Sequence, residues 1–245
     1  FYGVSTLMTI ALVATVFFLP STPPTGRRTS LADPFRALKH KPLLLLAITA
    51  VFYNIGFFTI LAAGPFALPS AGILEIGWIF FGWGVLLAVT SVAVAPMLQR
   101  FVGTMPALLG TLAFFAVDLA LMAVFTAHTV AVVLGIIVAG AFIGINNTLV
   151  TEAVMKSAPV ERPVASAAYS FVRFIGGAFG PYAALKLGET VNSHAPFWFG
   201  AAAVLIAVVV VAAGLRTISR AVHGEVTPAL HSEAEAESVL VGDLD

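Results

Sequence analysis

Long apolar runs are the feature that most limits what this chain can fold into. A helix needs about 20 predominantly apolar residues to cross a bilayer core about 30 Å thick. Seven stretches of the 245-residue chain approximately meet that length: 1–19, 43–64, 73–95, 104–126, 129–150, 164–188 and 195–215. Because these runs are continuous and do not alternate polar with apolar residues, they predict helices and not the strands of a barrel. We therefore expect an all-α integral membrane protein.

The composition supports this expectation and excludes several functions. The chain is 60% hydrophobic and 10% charged, whereas a soluble domain carries about 25% charged residues. Its net charge is zero and it has no cysteine, so the sequence offers neither a basic surface for nucleic acid nor thiolates for a metal. His128 and His194 lie far apart, and nothing near them has metal-ligand spacing. We expect no nucleic-acid partner, no metal and no cofactor.

A membrane enzyme acting on lipids or isoprenoids is one alternative from a different functional class. Such chemistry uses paired acids or clustered histidines at the membrane face, spaced as in D-x-x-D or H-x-x-x-H. Neither spacing occurs in the chain, so the sequence favours a protein that is not an enzyme.

Lys and Arg are distributed unequally between the loops. Ten of the twelve fall on one side of the predicted spans: Arg27, Arg28, Arg36, Lys39, Lys41, Arg100, Lys156, Arg162, Arg216 and Arg220. Lys186 is on the other side, and Arg173 lies inside a span. Because basic loops stay in the cytoplasm, we expect a multi-pass protein of the cell (inner) membrane whose C-terminus is cytoplasmic.

The segments outside the spans also carry predictions. Residues 20–42 form a basic loop in which Ser30 and Asp33 have the spacing of a capping box before Pro34. This predicts either a short helix lying on the anionic inner leaflet or a solvated linker. Residues 216–245 are expected to form a disordered cytoplasmic tail, since the last 21 residues contain six acids and no Lys or Arg. The chain begins at Phe1 inside an apolar run, which we interpret as a partial first span.

The six later spans look like two sets of three. The runs 43–64 and 129–150 each open a set and carry amides at mid-membrane depth, and the second run of each set is rich in glycine. Repeats of three helices recur in transporters. In the run 164–188, Arg173 precedes Gly176 and Gly180. A buried guanidinium is kept in a membrane only where it faces protein or water, and small residues four apart allow close helix approach, so we expect an inner helix.

Three stretches carry motifs of one transporter family. Gly64–Pro96 contains an FGWG and an A-V-T-S run, and Pro96–Leu108 is similar to the loop signature G-x-L-a-D-r-x-G-r-r-x-x-L. Gly144–Pro181 ends in G-x-x-x-G-P, which resembles an antiporter signature. In this order the stretches resemble the C-terminal half of a major facilitator superfamily transporter of the drug:proton antiporter group.

The chain departs from these motifs at several positions. Pro96 stands at the first glycine of the loop signature and Arg100 at its acid, while Ala184 and Leu185 replace a trailing glycine pair. The chain therefore lacks, at this position, the acid that would make the gating salt bridge of the signature.

The resemblance implies both an architecture and a function. The chain would comprise a partial helix six (1–19), the central loop (20–42), a six-helix bundle of helices seven to twelve (43–215) and the tail (216–245). The implied function is half of a secondary transporter, coupling proton flow to the efflux of small lipophilic compounds. Its partners would be substrate, protons, the bilayer and a missing N-terminal six-helix half. The alternatives are a metabolite importer on the same fold, a non-transporting remnant and a partner subunit.

The resemblance also suggests which residues act. The first helix of each set would line the central cavity, which makes the polar groups there and the buried arginine candidates for substrate contact: Tyr53, Asn54, Asn146, Asn147, Thr148 and Arg173. Asp118 is the acid deepest in a span and is a candidate for proton coupling, or else a packing residue. Seven residues are expected to serve helix packing or gating: Gly103, Gly140, Gly144, Gly176, Gly177, Gly180 and Pro181. We expect the glycines of 164–188 to face the missing half.

Overall fold

The computed structural model describes residues 2–18, 30, 32–158, 160 and 162–222. Within these ranges the regular secondary structure is entirely helical and contains no strand. The chain divides into two compact units, one up to Leu31 and one beginning at Ala32. In the first unit, α1 spans Tyr2–Phe18. Its threonine hydroxyls donate to carbonyls one turn earlier at 2.8–2.9 Å, so these polar groups are satisfied within the helix.

The second unit is a helical bundle. Its helices are α2 (Asp33–Ala37), α3 (Lys41–Ala63), α4 (Ile73–Val89), α5 (Ala95–Val102), α6 (Thr104–Val124), α7 (Thr129–Ser157), α8 (Arg162–Thr190) and α9 (Ala195–Val222). A π-helical turn, Thr90–Val94, makes α4 and α5 one continuous rod. The rod ends at Gly103, whose φ of 86° and ψ of 162° are open essentially only to glycine. This residue therefore sets the corner between α5 and α6.

Five helical stretches in the described part of the chain are long and apolar enough to cross a membrane. They are α3, the rod from Ile73 to Val102, α6, α7 and α9. The helix α8 has 29 residues but is less apolar, because it contains Arg162, Arg173, Lys186 and Glu189. Its role as a span therefore depends on its packing inside the bundle and stays a prediction.

The packing supports a repeat of three helices. The first set comprises α3, the α4–α5 rod and α6, and the second comprises α7, α8 and α9. The opening helix α3 packs mainly on α8 and α9 of the second set, whereas α7 packs mainly on α4 and α6 of the first. The closing helices α6 and α9 pack on each other, as do α3 and α7. This pattern is unchanged when the two sets are exchanged, as in the internal repeats of transporters.

Glycines close both equivalent interfaces. A Cβ added to Gly176 of α8 would overlap the main chain of Val51 in α3, and one at Gly180 would come within 3.2 Å of Ile55. At the other interface, Gly140 of α7 lies against the main chain of Trp83 in α4. The expectation that the α8 glycines face a missing half is therefore wrong for Gly176 and Gly180, which face α3.

Three more of the residues predicted to serve helix packing or gating lie in α7 and α8: Gly144, Gly177 and Pro181. A Cβ at Gly144 would overlap the main chain of Leu87 in α4, and one at Gly177 would meet the ring of Phe58 at 2.7 Å. Pro181 lies inside α8, four residues after Gly177. Because a proline ring crowds the carbonyl four residues earlier, the small residue there eases the fit.

Two boundary predictions need correction. The predicted tail begins too early, because α9 continues to Val222. No Gly or Pro interrupts the helix between Gly214 and Gly224, and Ile218 is fully buried in the bundle, so packing stabilises the extra turns. The remaining tail, residues 223–245, lies outside the described residues.

The structure assigns the N-cap of α2 to a residue other than the Ser30 of the predicted capping box. The residue preceding α2 at its N-cap is Ala32, with no side-chain cap, and Asp33 is in the first turn, where it pairs with Arg36 at 3.6 Å. Pro34 fixes the first turn here, because its φ suits the helix start and it has no N–H to satisfy. The ring of Phe35 packs on Phe171 of α8 at 5.2 Å. Most of the preceding loop, 19–29 and Leu31, lies outside the described residues.

Candidate functional site

A hydrogen-bonded group links three helices in the middle of the bundle. The hydroxyl of Tyr53 in α3 donates to Asn147 Oδ1 of α7 at 2.8 Å and lies 3.2 Å from the hydroxyl of Tyr169 in α8. Tyr53 and Tyr169 are buried, whereas Asn147 is half-buried. Polar side chains within a membrane bundle find partners on neighbouring helices because hydrocarbon offers none. The sequence predicts Tyr53 and Asn147 as site residues, and the structure brings them together.

Arg173 lies one helical turn beyond Tyr169. Residues four apart share a helix face, and the guanidinium is within electrostatic reach of the Tyr53 hydroxyl. Arg173 Nε is buried, has no hydrogen-bond partner in the described structure, and the guanidinium carbon lies 5.6 Å from the ring centroid of Phe174. The arginine therefore borders the Tyr53–Asn147–Tyr169 group, which we call the tyrosine–amide cluster.

The other predicted amides point elsewhere. Asn146 is fully buried and its Oδ1 accepts a hydrogen bond from Thr111 of α6 at 2.6 Å. Asn54 is 1% exposed and donates to Ala50 O of its own helix at 2.8 Å. Neither side chain reaches an open surface: Asn146 links α7 to α6, whereas the Asn54 hydrogen bond stays within α3.

Thr148 belongs to the contact between α7 and the π-helical turn. Its hydroxyl donates to Gly144 O at 3.1 Å and to Ser91 O at 3.3 Å. In return, Ser91 and Thr90 donate to Gly144 O and Ala141 O of α7 at 3.0 and 3.1 Å. Hydroxyls thus join the widened turn to the glycine face of α7.

Asp118 lies apart from the tyrosine–amide cluster. It borders a cleft of about 210 Å³ between α6 and α7, with otherwise apolar walls that include Met122, Leu134 and Gly135. Its Oδ2 is buried and has no hydrogen-bond partner among the described residues. Thr111, seven residues before Asp118 and so near the same helix face, also bonds to α7.

Aromatic rings flank the tyrosine–amide cluster. Phe57, one turn after Tyr53, lies 4.5 Å from Phe58 and stacks on Trp83 of α4 at 5.8 Å with an interplanar angle of 7°. Trp78 and Phe81, also in α4, are 65% and 61% exposed.

A second polar group at the ends of α5 and α7 escapes the sequence prediction. Gln99 donates to Glu152 Oε2 at 2.6 Å and to Thr104 Oγ1 at 3.3 Å, and Glu152 pairs with Lys156. Gln99 lies in the degenerate loop signature, next to Arg100. The position of Gln99 beside Arg100 in this motif is the sequence signal that could have identified it as a functional candidate. The sequence prediction also omits Tyr169. Its position four residues before Arg173 places both on one helix face and could have indicated it.

The described residues contain no group of three or more His, Cys, Asp or Glu that could hold a metal ion. The tyrosine–amide cluster and Arg173 together offer one amide, two hydroxyls and one guanidinium. Such a site can bind a ligand through hydrogen bonds and charge.

Apolar helices arranged in two exchanged sets of three are an architecture found in membrane transporters. The sequence profile of the Major Facilitator Superfamily matches residues 66–240, and the chain belongs to this superfamily. It is a multi-pass, all-α membrane protein, as the apolar runs and motifs predict.

One relative gives a closer comparison. The chain is 44% identical over 219 residues to the multidrug efflux protein YfmO of Bacillus subtilis (strain 168). The match covers 89% of this chain and 55% of the relative, so the chain spans about half the length of that protein. The assignment to the C-terminal half stays a prediction.

Proposed function

We propose that this chain forms one half of a secondary transporter that exports small lipophilic compounds. The tyrosine–amide cluster is the observation that carries the proposal, because it places hydrogen-bonding groups between the opening helices of both three-helix sets. Membership of a transporter superfamily supports transport, and the similarity to a multidrug efflux protein supports export. Flanking rings of Phe57 and Trp83 suit lipophilic substrates.

We further propose that transport requires a second six-helix bundle. In transporters built from repeats, the substrate site lies at the interface between repeats and alternating access rocks one bundle against the other. The helices of this chain would form one side of the substrate cavity, and a second bundle would form the other. We therefore do not expect this chain to transport substrate alone. The unequal distribution of basic residues among the loops supports the proposal that the protein lies in the cell membrane with its C-terminus in the cytoplasm.

Within the site, Asn147 is the residue proposed to contact substrate. It is half-buried, whereas Tyr53, Asn54 and Asn146 are at most 1% exposed. The buried residues are therefore assigned to positioning in this conformation. Thr148 and Arg173 are half-buried and retain their proposed substrate roles.

Efflux assays on the protein as its gene encodes it test this function. Cells lacking their own drug exporters would be loaded with a lipophilic fluorescent dye, and dye loss would be followed with the wild type and with Asn147→Ala. We expect the wild type to accelerate dye loss and Asn147→Ala to slow it several-fold at equal expression. Gly77→Ala, in open space on α4, is the matched control and should leave the rate unchanged. Wild-type dye accumulation in place of loss would favour an importer, and no effect on the dye would contradict transport.

Asp118 is proposed as a proton-coupling residue. Ionisable residues inside a membrane commonly serve to carry protons. One carboxylate oxygen of Asp118 has no hydrogen-bond partner among the described residues, so it is free to take up and release a proton. Asp118→Asn removes the ionisable group and keeps the shape. We expect it to abolish efflux driven by a pH gradient while leaving downhill dye movement in place. Full pH-driven efflux by this variant would contradict the coupling role and leave Asp118 as a packing residue.

A further inference from the structure

We infer that the tyrosine–amide cluster and Arg173 form a donor-rich, positively charged site that selects lipophilic anions. The inference rests on the proposed transport function and deepens it by naming the substrate class. It follows from which hydrogen-bonding atoms the described structure leaves free and from the charges around them.

The direction of the hydrogen bonds fixes the Asn147 amide. Tyr53 donates its only hydroxyl proton to Asn147 Oδ1, so in the 3.2 Å contact with Tyr169 it is the Tyr169 hydroxyl that donates. The amide oxygen is thereby engaged. The Nδ2 group, which has two N–H donors, remains available on a half-buried side chain. The two buried tyrosines thus present Asn147 to a ligand as a donor.

Arg173 adds positive charge beside this donor. Its Nε is buried and unpartnered within the described structure, and guanidinium is a donor with no acceptor atoms. A guanidinium in a membrane interior requires a partner. A ligand with an anionic oxygen near the guanidinium would supply the opposite charge that the described residues do not provide.

The described acids are all placed elsewhere. Two lie beside basic residues of their own helix, Glu152 with Lys156 and Glu189 with Lys186, and Glu75 accepts from the main chain of Gly72 at the start of α4. Asp118 faces the cleft between α6 and α7, and Asp33 pairs with Arg36. Within the described ranges, no carboxylate therefore offsets Arg173 or would attract a cationic substrate.

The aromatic rings next to the cluster indicate which apolar group the anionic substrate carries. Phe57 lies one turn from Tyr53 and stacks on Trp83, and the ring of Phe58 fills the space beside Gly177, one turn from Arg173. An aryl group packs favourably against such faces. The site thus fits an aromatic or other apolar body that ends in an anionic acid group.

Three probes of matched shape separate charge from lipophilicity: 4-butylbenzenesulfonate, 4-butylbenzenesulfonamide and (4-butylphenyl)trimethylammonium. The charges of the first and last are permanent, so a pH gradient does not redistribute them passively. Transport would be measured in membrane vesicles containing the protein as its gene encodes it. Because charge-assisted hydrogen bonds are the strong ones, we expect KM for the sulfonate to be about tenfold below that for the trimethylammonium probe.

Substitutions test the assigned roles. Arg173→Gln should remove the preference for the sulfonate, and Arg173→Lys should keep it because the charge remains. Tyr53→Phe should raise the sulfonate KM several-fold with little change in kcat, since the amide loses the bond that orients it. An unchanged preference in Arg173→Gln, or a preference for the trimethylammonium probe in the wild type, would overturn the inference.

The fluorescent dye separates this inference from the proposed function. If the dye is exported and the sulfonate is not, the anion selectivity is refuted while export stands. If neither the dye nor any probe is transported, the proposed function fails and this inference fails with it.

Discussion

The contact between Thr111 and Asn146 shows how single residues hold this bundle together. Both are buried, and the threonine hydroxyl lies 2.6 Å from the amide oxygen of the neighbouring helix. Asn146 Nδ2 has no partner in the described structure. The bond from Thr111 is therefore the hydrogen bond that ties this amide to α6. Interhelical bonds in membranes contribute about 0.6 kcal/mol on average and at most about 1.7 kcal/mol.

Thr111→Val keeps the branched shape and removes the hydroxyl. We expect it to lower the free energy of unfolding by about 0.6 to 1.7 kcal/mol, measured by SDS titration of the purified protein. Thr111→Ser keeps the hydroxyl and therefore the hydrogen bond, so its free energy of unfolding should be closer to that of the wild type than to that of Thr111→Val. Equal stability of the wild type and Thr111→Val would show that the amide finds another partner.

The sequence could identify polar residues in the spans but not their direction. Adjacent Asn146 and Asn147 differ by about 100° around a helix, and only the packed structure shows that one reaches α6 and the other α3. The contact of Tyr53 with Tyr169 spans 116 residues of sequence. It depends on how α8 is rotated about its axis, which composition does not determine.

At the level of elements, small residues set how closely helices approach. Gly176 of α8 lies against the main chain of Val51 in α3. A main chain cannot rotate away as a side chain can, so an added methyl group must separate the helices. The sequence predicts a close contact from Gly176 and Gly180, but it could not reveal that the partner helix belongs to this bundle.

Gly176→Ala should therefore destabilise the protein by about 1–3 kcal/mol, the usual cost of overpacking. Gly77→Ala is the matched control, because nothing lies within 4 Å of the added atom. Alanine is a better helix former than glycine by about 1 kcal/mol, so the control should be neutral or stabilising. Thermal unfolding should show a lower midpoint for Gly176→Ala and an unchanged or higher midpoint for Gly77→Ala, and equal midpoints for the two variants would contradict the close-contact argument.

The corner at Gly103 depends on its main-chain conformation and not on space. A Cβ there would have only one neighbour within 4 Å, Pro106 Cδ at 3.9 Å, but φ is 86°. We expect Gly103→Ala to cost about 1–3 kcal/mol of stability through backbone strain. Gly110→Ala, a helical position in open space, should cost nothing. If both variants unfold at the wild-type temperature, α5 and α6 can meet without this conformation.

Helix ends depend on local contacts that the apolar runs do not reveal. Apolar runs predict where spans lie because bilayer thickness sets their length, yet α9 extends beyond its apolar run. Ile218 is buried there while Arg216 and Arg220 are exposed, so an amphipathic turn continues the helix on the bundle surface. At the other end of the unit, α2 has Ala32 at its N-cap and Pro34 in its first turn.

For the whole molecule, the exchange of helices between the two sets is the main architectural result. The opening helix of each set packs on the second and third helices of the other, so neither set buries its surfaces alone. The sequence predicts the two sets from their order of amides and glycines. It could not predict the exchange, because the run lengths and loop charges would be the same if each set packed on itself.

The side of the membrane on which each loop lies is a prediction for the whole molecule. Odd and even crossings place loops on alternate sides, so all loops must agree. Basic residues put Arg100 and Arg220 in the cytoplasm, whereas Ser70, after α3, and Ser193, after α8, fall outside. All four are exposed, and this chain contains no cysteine, so an introduced cysteine is a distinct label within it.

Labelling intact cells with a membrane-impermeant maleimide tests that arrangement. We expect Ser70→Cys and Ser193→Cys to react in intact cells, and Arg100→Cys and Arg220→Cys to react only after the membrane is opened. Complete reversal would show that the positive-inside bias does not orient this chain. Labelling of only one outer position would be more informative, because Ser70 and Ser193 are separated by four predicted crossings. That result would mean that one of the intervening helices does not cross the bilayer, and α8, the least apolar of them, would be the first to examine.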